Sequence, residues 1–172
     1  NTAWCHPVLF QRIRKARKEN PDMRVVVIDP RRTSTCDIAD MHLPVKPGTD
    51  TDLFNGLLCY LSDQGETNNL FTGNCTTGLD EALAAAREHC GDTGTVAARC
   101  GLEHSELENF YRLFSRTERV VTVFSQGVNQ FSYGTDKVNS IINCHLLTGR
   151  IGRPGMGPFS FTGQPNAMGG RE

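Results

Sequence analysis

Apolar positions along the chain switch between helical spacing and short β-branched runs, and their order predicts alternating α and β layers. Pro7 suits the first turn of a helix running to about Glu19, with Leu9, Ile13 and Ala16 on one face. Arg12, Arg14, Lys15, Arg17 and Lys18 fall on the wet face. Residues 24–28 (RVVVI) read as a strand covered on both sides, and 42–45 (HLPV) as its successor. Pro47-Gly48 breaks the chain, and Thr49 or Asp50 caps a helix to about Ser62 that carries Phe54, Leu57, Leu58 and Leu61. A polar loop follows over 63–77. An alanine-rich helix over 79–89 then stops at Gly91, and Ser105 with Glu108 has capping-box spacing ahead of Leu107, Phe110, Tyr111 and Phe114. Residues 119–124 (RVVTVF) read as a second buried strand. The turn SQGVNQ leads to a helix over about 135–147, apolar at Val138, Ile141, Ile142 and Leu146. This order predicts an α/β fold, layered αβα around a mainly parallel, Rossmann-like sheet. The domain is expected over 1–148, with a structureless, Gly/Pro-rich segment over 149–172 leading toward the rest of a larger protein.

Charge and composition narrow the partners. The 172 residues carry 18 basic and 19 acidic side chains, a balance that offers neither a nucleic acid nor an anionic membrane a reason to bind. No apolar run approaches the roughly 20 residues needed to span a bilayer. Seven cysteines are scattered without a C-x-x-C pair, which argues against a local zinc or iron–sulfur site. They read as small buried hydrophobes in a reducing compartment. Cys144 and His145 are helix neighbours that do not face each other, so His145 reads as a core or capping residue.

Ligands of open parallel sheets bind beyond the carboxyl ends of the strands. Polar clusters stand at three such ends: Asp29-Pro30-Arg31-Arg32-Thr33, Gly48-Thr49-Asp50 and Ser125-Gln126-Gly127. An acid there accepts hydrogen bonds from a ribose, and arginines fork onto phosphate. A carboxylate also offers two parallel acceptors, which match the N1–H and 2-amino donors of guanine but not the mixed edge of adenine. Plainer readings stand beside these: Asp50 as a helix N-cap, solvated arginines, and an ordinary turn at Gln126. Glycine-rich dinucleotide and P-loop motifs are missing, and no local catalytic or metal centre is legible.

Three stretches carry a resemblance: NTAWCHPVLFQRI (1–13), VVVIDPRRTSTCDIADMHLPVKPGTDTDL (25–53) and FSQGVNQFSYGTDKVNSIINCHLLTGRIGRPGMGPFSFTGQPNAMGGRE (124–172). Together they resemble the molybdopterin oxidoreductases of the dimethyl-sulfoxide-reductase superfamily. The I-D-P-R-x-T…A-D…P-G-T-D pattern points to the superfamily, and the P-F-S-x-T-G-Q-P-N-A-M-G-G-R-E ending to its nitrate reductases; taken together the stretches most resemble the catalytic subunits of the assimilatory ones. The likeness runs over essentially the whole chain and is weakest around 63–100.

The resemblance implies molybdenum held between two molybdopterin guanine dinucleotides. Asn1, Thr2, Ala3, Trp4 and Cys5 look like the end of a loop lying along one dinucleotide. Asp29, Pro30, Arg31, Arg32 and Thr33 resemble its ribose and phosphate contacts, and Gly48, Thr49 and Asp50 the guanine-recognition turn. Gln126 and Gln130, and Gln164 in the G-Q-P turn, correspond to positions near the pterin. Periplasmic relatives carry Met where Gln126 stands, which favours the cytoplasmic branch. In the family the four iron–sulfur cysteines and the molybdenum-ligating cysteine lie upstream of the matching region, and a C-terminal domain grips the second dinucleotide. The implied activity is reduction of nitrate to nitrite by the complete enzyme, with this part inactive alone. Its partners would be the remaining domains and an electron donor, either ferredoxin or a reductase subunit. The rival readings are another member such as a formate dehydrogenase, and a non-catalytic nucleotide-binding module.

Overall fold

A computed structural model describes residues 1–161. The chain divides into two compact units, Asn1–Pro47 and Gly48–Glu172.

In the first unit, a single helical turn (α1, Thr2–Cys5) precedes α2 (Pro7–Glu19), β1 (Val26–Ile28), a 3-10 turn (Ser34–Ile38) and β2 (Met41–Leu43). β1 and β2 pair in parallel, Val27 opposite His42. Helix α2 forms where expected, but Leu9 is exposed and Phe10 is the buried side chain, so the inward stripe is Phe10, Ile13 and Arg17. Arg17 therefore does not stay wet. Its guanidinium lies 2.6 Å from Asp40 Oδ1, and the other oxygen of Asp40 accepts from the Val25 amide at 2.8 Å. Burial works against the Asp40 charge, yet the Val25 amide and the Arg17 guanidinium outweigh it and hold the carboxyl below its usual range.

In the second unit, α3 (Asp50–Asp63) runs through the core, followed by α4 (Asn69–Cys75), α5 (Leu79–Cys90), α6 (Thr93–Cys100) and α7 (His104–Arg116). Then come β3 (Val121–Phe124), α8 (Gln126–Asn129), α9 (Gly134–Leu147) and β4 (Gly157–Ser160). Leu53, Leu57 and Leu61 of α3 have no exposed surface, and α5, α6, α7 and α9 pack around them. β3 pairs in parallel with β4, Val123 opposite Phe159. The mixed α/β character and parallel pairing agree with the sequence expectation, and the described strands form two separate two-stranded pairs.

Several local expectations need correction. The loop expected over 63–77 contains α4, because Asn68 Oδ1 accepts from the Phe71 amide at 3.0 Å and starts a helix there. Helix α6 starts in the same way, with Asp92 accepting from the Thr95 amide at 2.7 Å, and Gly101 ends it in the left-handed region. Helix α7 begins at His104 with Glu103 as its N-cap, so Ser105 already lies inside the helix and the expected capping box does not form. The strand expected to be buried over 119–124 is a half-exposed edge: Val121 and Val123 face outward at 49% and 42% exposure. The span expected to be structureless holds β4 and the buried Arg150. Its Nη2 donates to the carbonyls of Phe114 (3.0 Å) and Thr117 (2.7 Å) at the end of α7, where cations are favoured.

Candidate cofactor-binding residues

Each unit carries its own group of the candidate residues. In the first unit the chain leaves β1 at Asp29, whose amide donates to the Leu43 carbonyl across the parallel pair. Asp29 Oδ1 accepts from the Arg31 amide at 2.9 Å, which curls Pro30 and Arg31 into a tight turn beyond the strand end. His42 Nε2 lies 2.9 Å from the Asp29 carbonyl, and since a carbonyl only accepts, that nitrogen carries the proton. The turn leaves Arg31 and Arg32 exposed, and among the described residues no hydrogen bond or ion pair engages either guanidinium. Thr33 Oγ1 is buried without a hydrogen-bond partner among the same residues.

Asn1, Thr2, Ala3, Trp4 and Cys5 pack against this turn. Thr35 Oγ1 accepts from the Ala3 amide and donates to Asn1 Oδ1, both at 3.1 Å, and Trp4 Nε1 donates to Ser34 Oγ at 3.3 Å. The Asn1 backbone nitrogen stands 4.0 Å from Asp29 Oδ2. Two stretches far apart in sequence are thereby brought together at one strand end. Thr35 and His42 hold that arrangement, and sequence reading passed over both because neither is charged nor part of a motif.

In the second unit, Gly48 adopts φ +93°, a conformation that favours glycine, and Thr49 and Asp50 follow it into the first turn of α3. Neither Thr49 nor Asp50 caps the helix with its side chain. Thr49 occupies the N-cap position without a side-chain cap bond. The Asp50 carboxylate turns instead to Lys137 of α9, with Oδ2 2.6 Å from Nζ. The Lys137 side chain is 1% exposed and that of Asp50 is 18% exposed. The Lys137 ammonium also lies 4.0 Å from the centre of the Phe131 ring and 5.7 Å from that of Tyr133, within reach of the ring quadrupoles.

Lys137 is the main residue that sequence reading missed. It sits one turn before Ile141 on the buried stripe of α9, where a lysine needs an acid as partner. The same stripe buries Ser140, Cys144 and His145. Ser140 Oγ donates to the Lys137 carbonyl at 2.8 Å, Cys144 Sγ to the Phe54 carbonyl at 3.2 Å, and His145 Nε2 meets Thr122 Oγ1 at 2.8 Å. Cys144 and His145 are thus separate core residues, as their spacing implied.

At the carboxyl ends of β3 and β4, Ser125 Oγ donates to the Phe161 carbonyl at 2.9 Å and the Phe161 amide donates to the Phe124 carbonyl at 2.8 Å. The chain then turns into α8, which leaves Gln126 and Gln130 exposed. Their expected ordinary turn is this four-residue helix. Gln164 lies outside the described residues.

A family profile described as molybdopterin oxidoreductase matches residues 1–171. The chain belongs to the molybdopterin oxidoreductase family. It is 51% identical over its full length to a nitrate reductase of Klebsiella oxytoca, covering 19% of that protein. It is also 48% identical over its full length to a nitrate reductase of Shewanella frigidimarina, covering 18% of it. An F420-dependent formate dehydrogenase 2 subunit alpha of Methanococcus maripaludis is 32% identical over 98% of the chain and is covered to 24%. The chain therefore spans about a fifth of the length of the curated relatives it matches. Acetylene hydratase from Pelobacter acetylenicus shares the fold, with a TM-score of 0.76 over 86% of the chain and 20% of its own, at 20% identity.

Membership implies a molybdenum–pterin cofactor, and the residues present suit such a polar, anionic group. Among the described residues, the first unit presents the guanidinia of Arg31 and Arg32 without a partner and an unpaired buried hydroxyl at Thr33, and the second unit presents the exposed amides of Gln126 and Gln130. Among the described residues no helix is long and apolar enough to cross a membrane.

Proposed function

We propose that this chain is part of the cofactor cradle of a longer, assimilatory nitrate reductase. Residues 1–148 would form the dinucleotide-binding domain, and 149–172 would lead on to further domains. The observation that carries the choice of substrate is 51% identity to a nitrate reductase over every residue of the chain. Identity to a formate dehydrogenase is lower, at 32%, which makes formate the second candidate.

The cofactor is a molybdopterin guanine dinucleotide. Arg31 and Arg32 would take its phosphates, Asp29 and Thr33 its ribose and neighbouring oxygens, and Asn1, Thr2, Ala3, Trp4, Cys5 and Pro30 the adjoining surface of the first unit. The Gly48-Thr49-Asp50 turn would read guanine, with the Asp50 carboxylate accepting from N1–H and the 2-amino group. Gln126, Gln130 and Gln164 would donate and accept at the pterin. When bound, the cofactor supplies the two-electron chemistry that turns nitrate and two protons into nitrite and water, while the protein binds, orients and tunes it. Electrons would arrive through an iron–sulfur cluster carried elsewhere in the cytoplasmic enzyme, and this chain alone would not turn over.

Assays with reduced viologen separate the readings. The longer enzyme is expected to produce nitrite from nitrate, and this chain alone none. A longer enzyme that oxidises formate and leaves nitrate untouched would replace the proposal with the formate reading. Nitrite formation by the isolated chain at enzymatic rates would overturn the cradle role.

A further inference from the structure

The buried ammonium behind Asp50 has no place in the readings above. Lys137 approaches the carboxylate from α9, with Nζ 2.6 Å from Oδ2, and is itself almost wholly enclosed. Phe131 and Tyr133 meet edge to face at 4.6 Å beside it, each 44% exposed. The Tyr133 hydroxyl reaches the turn as well: a Cβ added at Gly48 would stand 3.3 Å from it and 3.8 Å from Phe131. The turn, its acid, the lysine and two aromatic rings therefore make one packed cluster. Asp50 keeps a little exposed surface while Lys137 keeps nearly none.

We propose that Lys137 is a positioning residue that sets the rotamer of Asp50, and so makes the carboxylate select guanine. The inference rests on the guanine reading of Asp50 proposed above. An aspartate at the first residue of a helix is ordinarily free to rotate toward the unpaired amides of that end, where the helix dipole favours its charge. In that rotamer its two oxygens would not face a purine side by side. The short contact to Lys137 holds it away from those amides. The ring of Phe131, 4.0 Å from the ammonium, restricts where the ammonium can move. Each carboxylate oxygen has two lone pairs, so Oδ2 can accept from Lys137 and still accept from the base, and Oδ1 takes the second donor. Because Lys137 is enclosed, it acts on the ligand through Asp50 and does not touch it.

The role has a readout that simple structural support would not move. Hypoxanthine has the N1–H donor of guanine but lacks the 2-amino group, so a fixed pair of acceptors should prefer GMP to IMP by roughly tenfold, the value of one hydrogen bond. The test titrates GMP and IMP by calorimetry into the cofactor-free longer enzyme. The proteins compared are wild type, Asp50→Asn, Lys137→Met, the double variant and Phe131→Leu.

Lys137→Met is expected to remove most of the preference, and to cause no further loss in the Asp50→Asn background, because the two act as a unit. Phe131→Leu replaces a half-exposed side chain and should fold whatever Lys137→Met does. It is expected to lower the preference by a smaller factor. A preference lost in Asp50→Asn but intact in Lys137→Met overturns the positioning role and leaves the guanine reading standing. If Lys137→Met does not fold, an unchanged preference in Phe131→Leu overturns it equally. No preference in wild type, with no effect of Asp50→Asn, overturns the guanine reading itself.

Discussion

The hydroxyl of Tyr111 on α7 donates a 2.6 Å hydrogen bond to the carbonyl of Leu53 on α3. Both groups are buried, and the contact exists because Gly56 lets the two helices approach. A Cβ at Gly56 would lie 2.6 Å from the Tyr111 oxygen and 2.8 Å from Val96 Cγ2. Alanine in mid-helix normally gains about 1 kcal/mol over glycine. Here Gly56→Ala is expected to destabilise the second unit by about 1–3 kcal/mol, because overpacking outweighs propensity. Urea denaturation of the variant measures it, and a stabilised variant would show that the core yields at this point.

His145 makes stability depend on pH. Burial, with the Arg150 charge adding to it, lowers its pKa to about 4 from an ordinary 6.5. Between those values the unfolded chain binds the proton and the folded chain does not, so stability falls as pH drops through that window. The full loss below it is about 3 kcal/mol for that separation. Asp92, held below the usual carboxylate range by hydrogen bonds from Thr95, titrates in a lower window and does not obscure the effect. Denaturation midpoints of wild type and His145→Gln between pH 7 and 4 should converge as pH falls, and parallel curves would contradict the assignment.

Thiol labelling separates the cysteines. Cys5 and Cys75 are exposed, whereas Cys36, Cys59, Cys90, Cys100 and Cys144 are buried. Burial, with Asp52 nearby, pushes the Cys90 thiol up to about 12, far from the thiolate that reacts. A thiol reagent under native conditions is expected to modify Cys5 and Cys75 quickly and the other five only on unfolding. Mass spectrometry of the labelled chain reads the result directly.

Arg31 and Arg32 should govern how salt affects nucleotide binding. Replacing both with alanine is expected to cost about 1.5–3 kcal/mol per charge-assisted bond lost and to flatten the salt dependence of GMP binding. Folding should be untouched, since neither guanidinium has an ion pair among the described residues. Calorimetry at two ionic strengths decides it, and an unchanged salt response would remove both residues from the phosphate site.

What was legible in the sequence follows from the kind of signal each feature left. The long helices α3 and α9 carry regular apolar spacing and were found, as were the strands β1 and β2 of a parallel pair; β4 (Gly157–Ser160) has no β-branched residue and was passed over with the glycine-rich span around it. Helices α4 and α6 are short and rest on a single capping side chain each, Asn68 and Asp92, which a search for apolar periodicity passes over. The α2 stripe was read one residue out of phase because Arg17, a charged residue, belongs to its inward face. Lys137 was hidden for the same reason. Its acid partner lies 87 positions away, and only the fold brings the two together.

The guanine reading of Asp50 has one direct test. Wild type and Asp50→Asn of the longer enzyme would be purified, hydrolysed in acid, and assayed for released GMP per protein, with melting curves as a control for folding. The account predicts guanine nucleotide from wild type and much less from the variant at equal stability. Equal GMP from both proteins, or none from wild type, would contradict it.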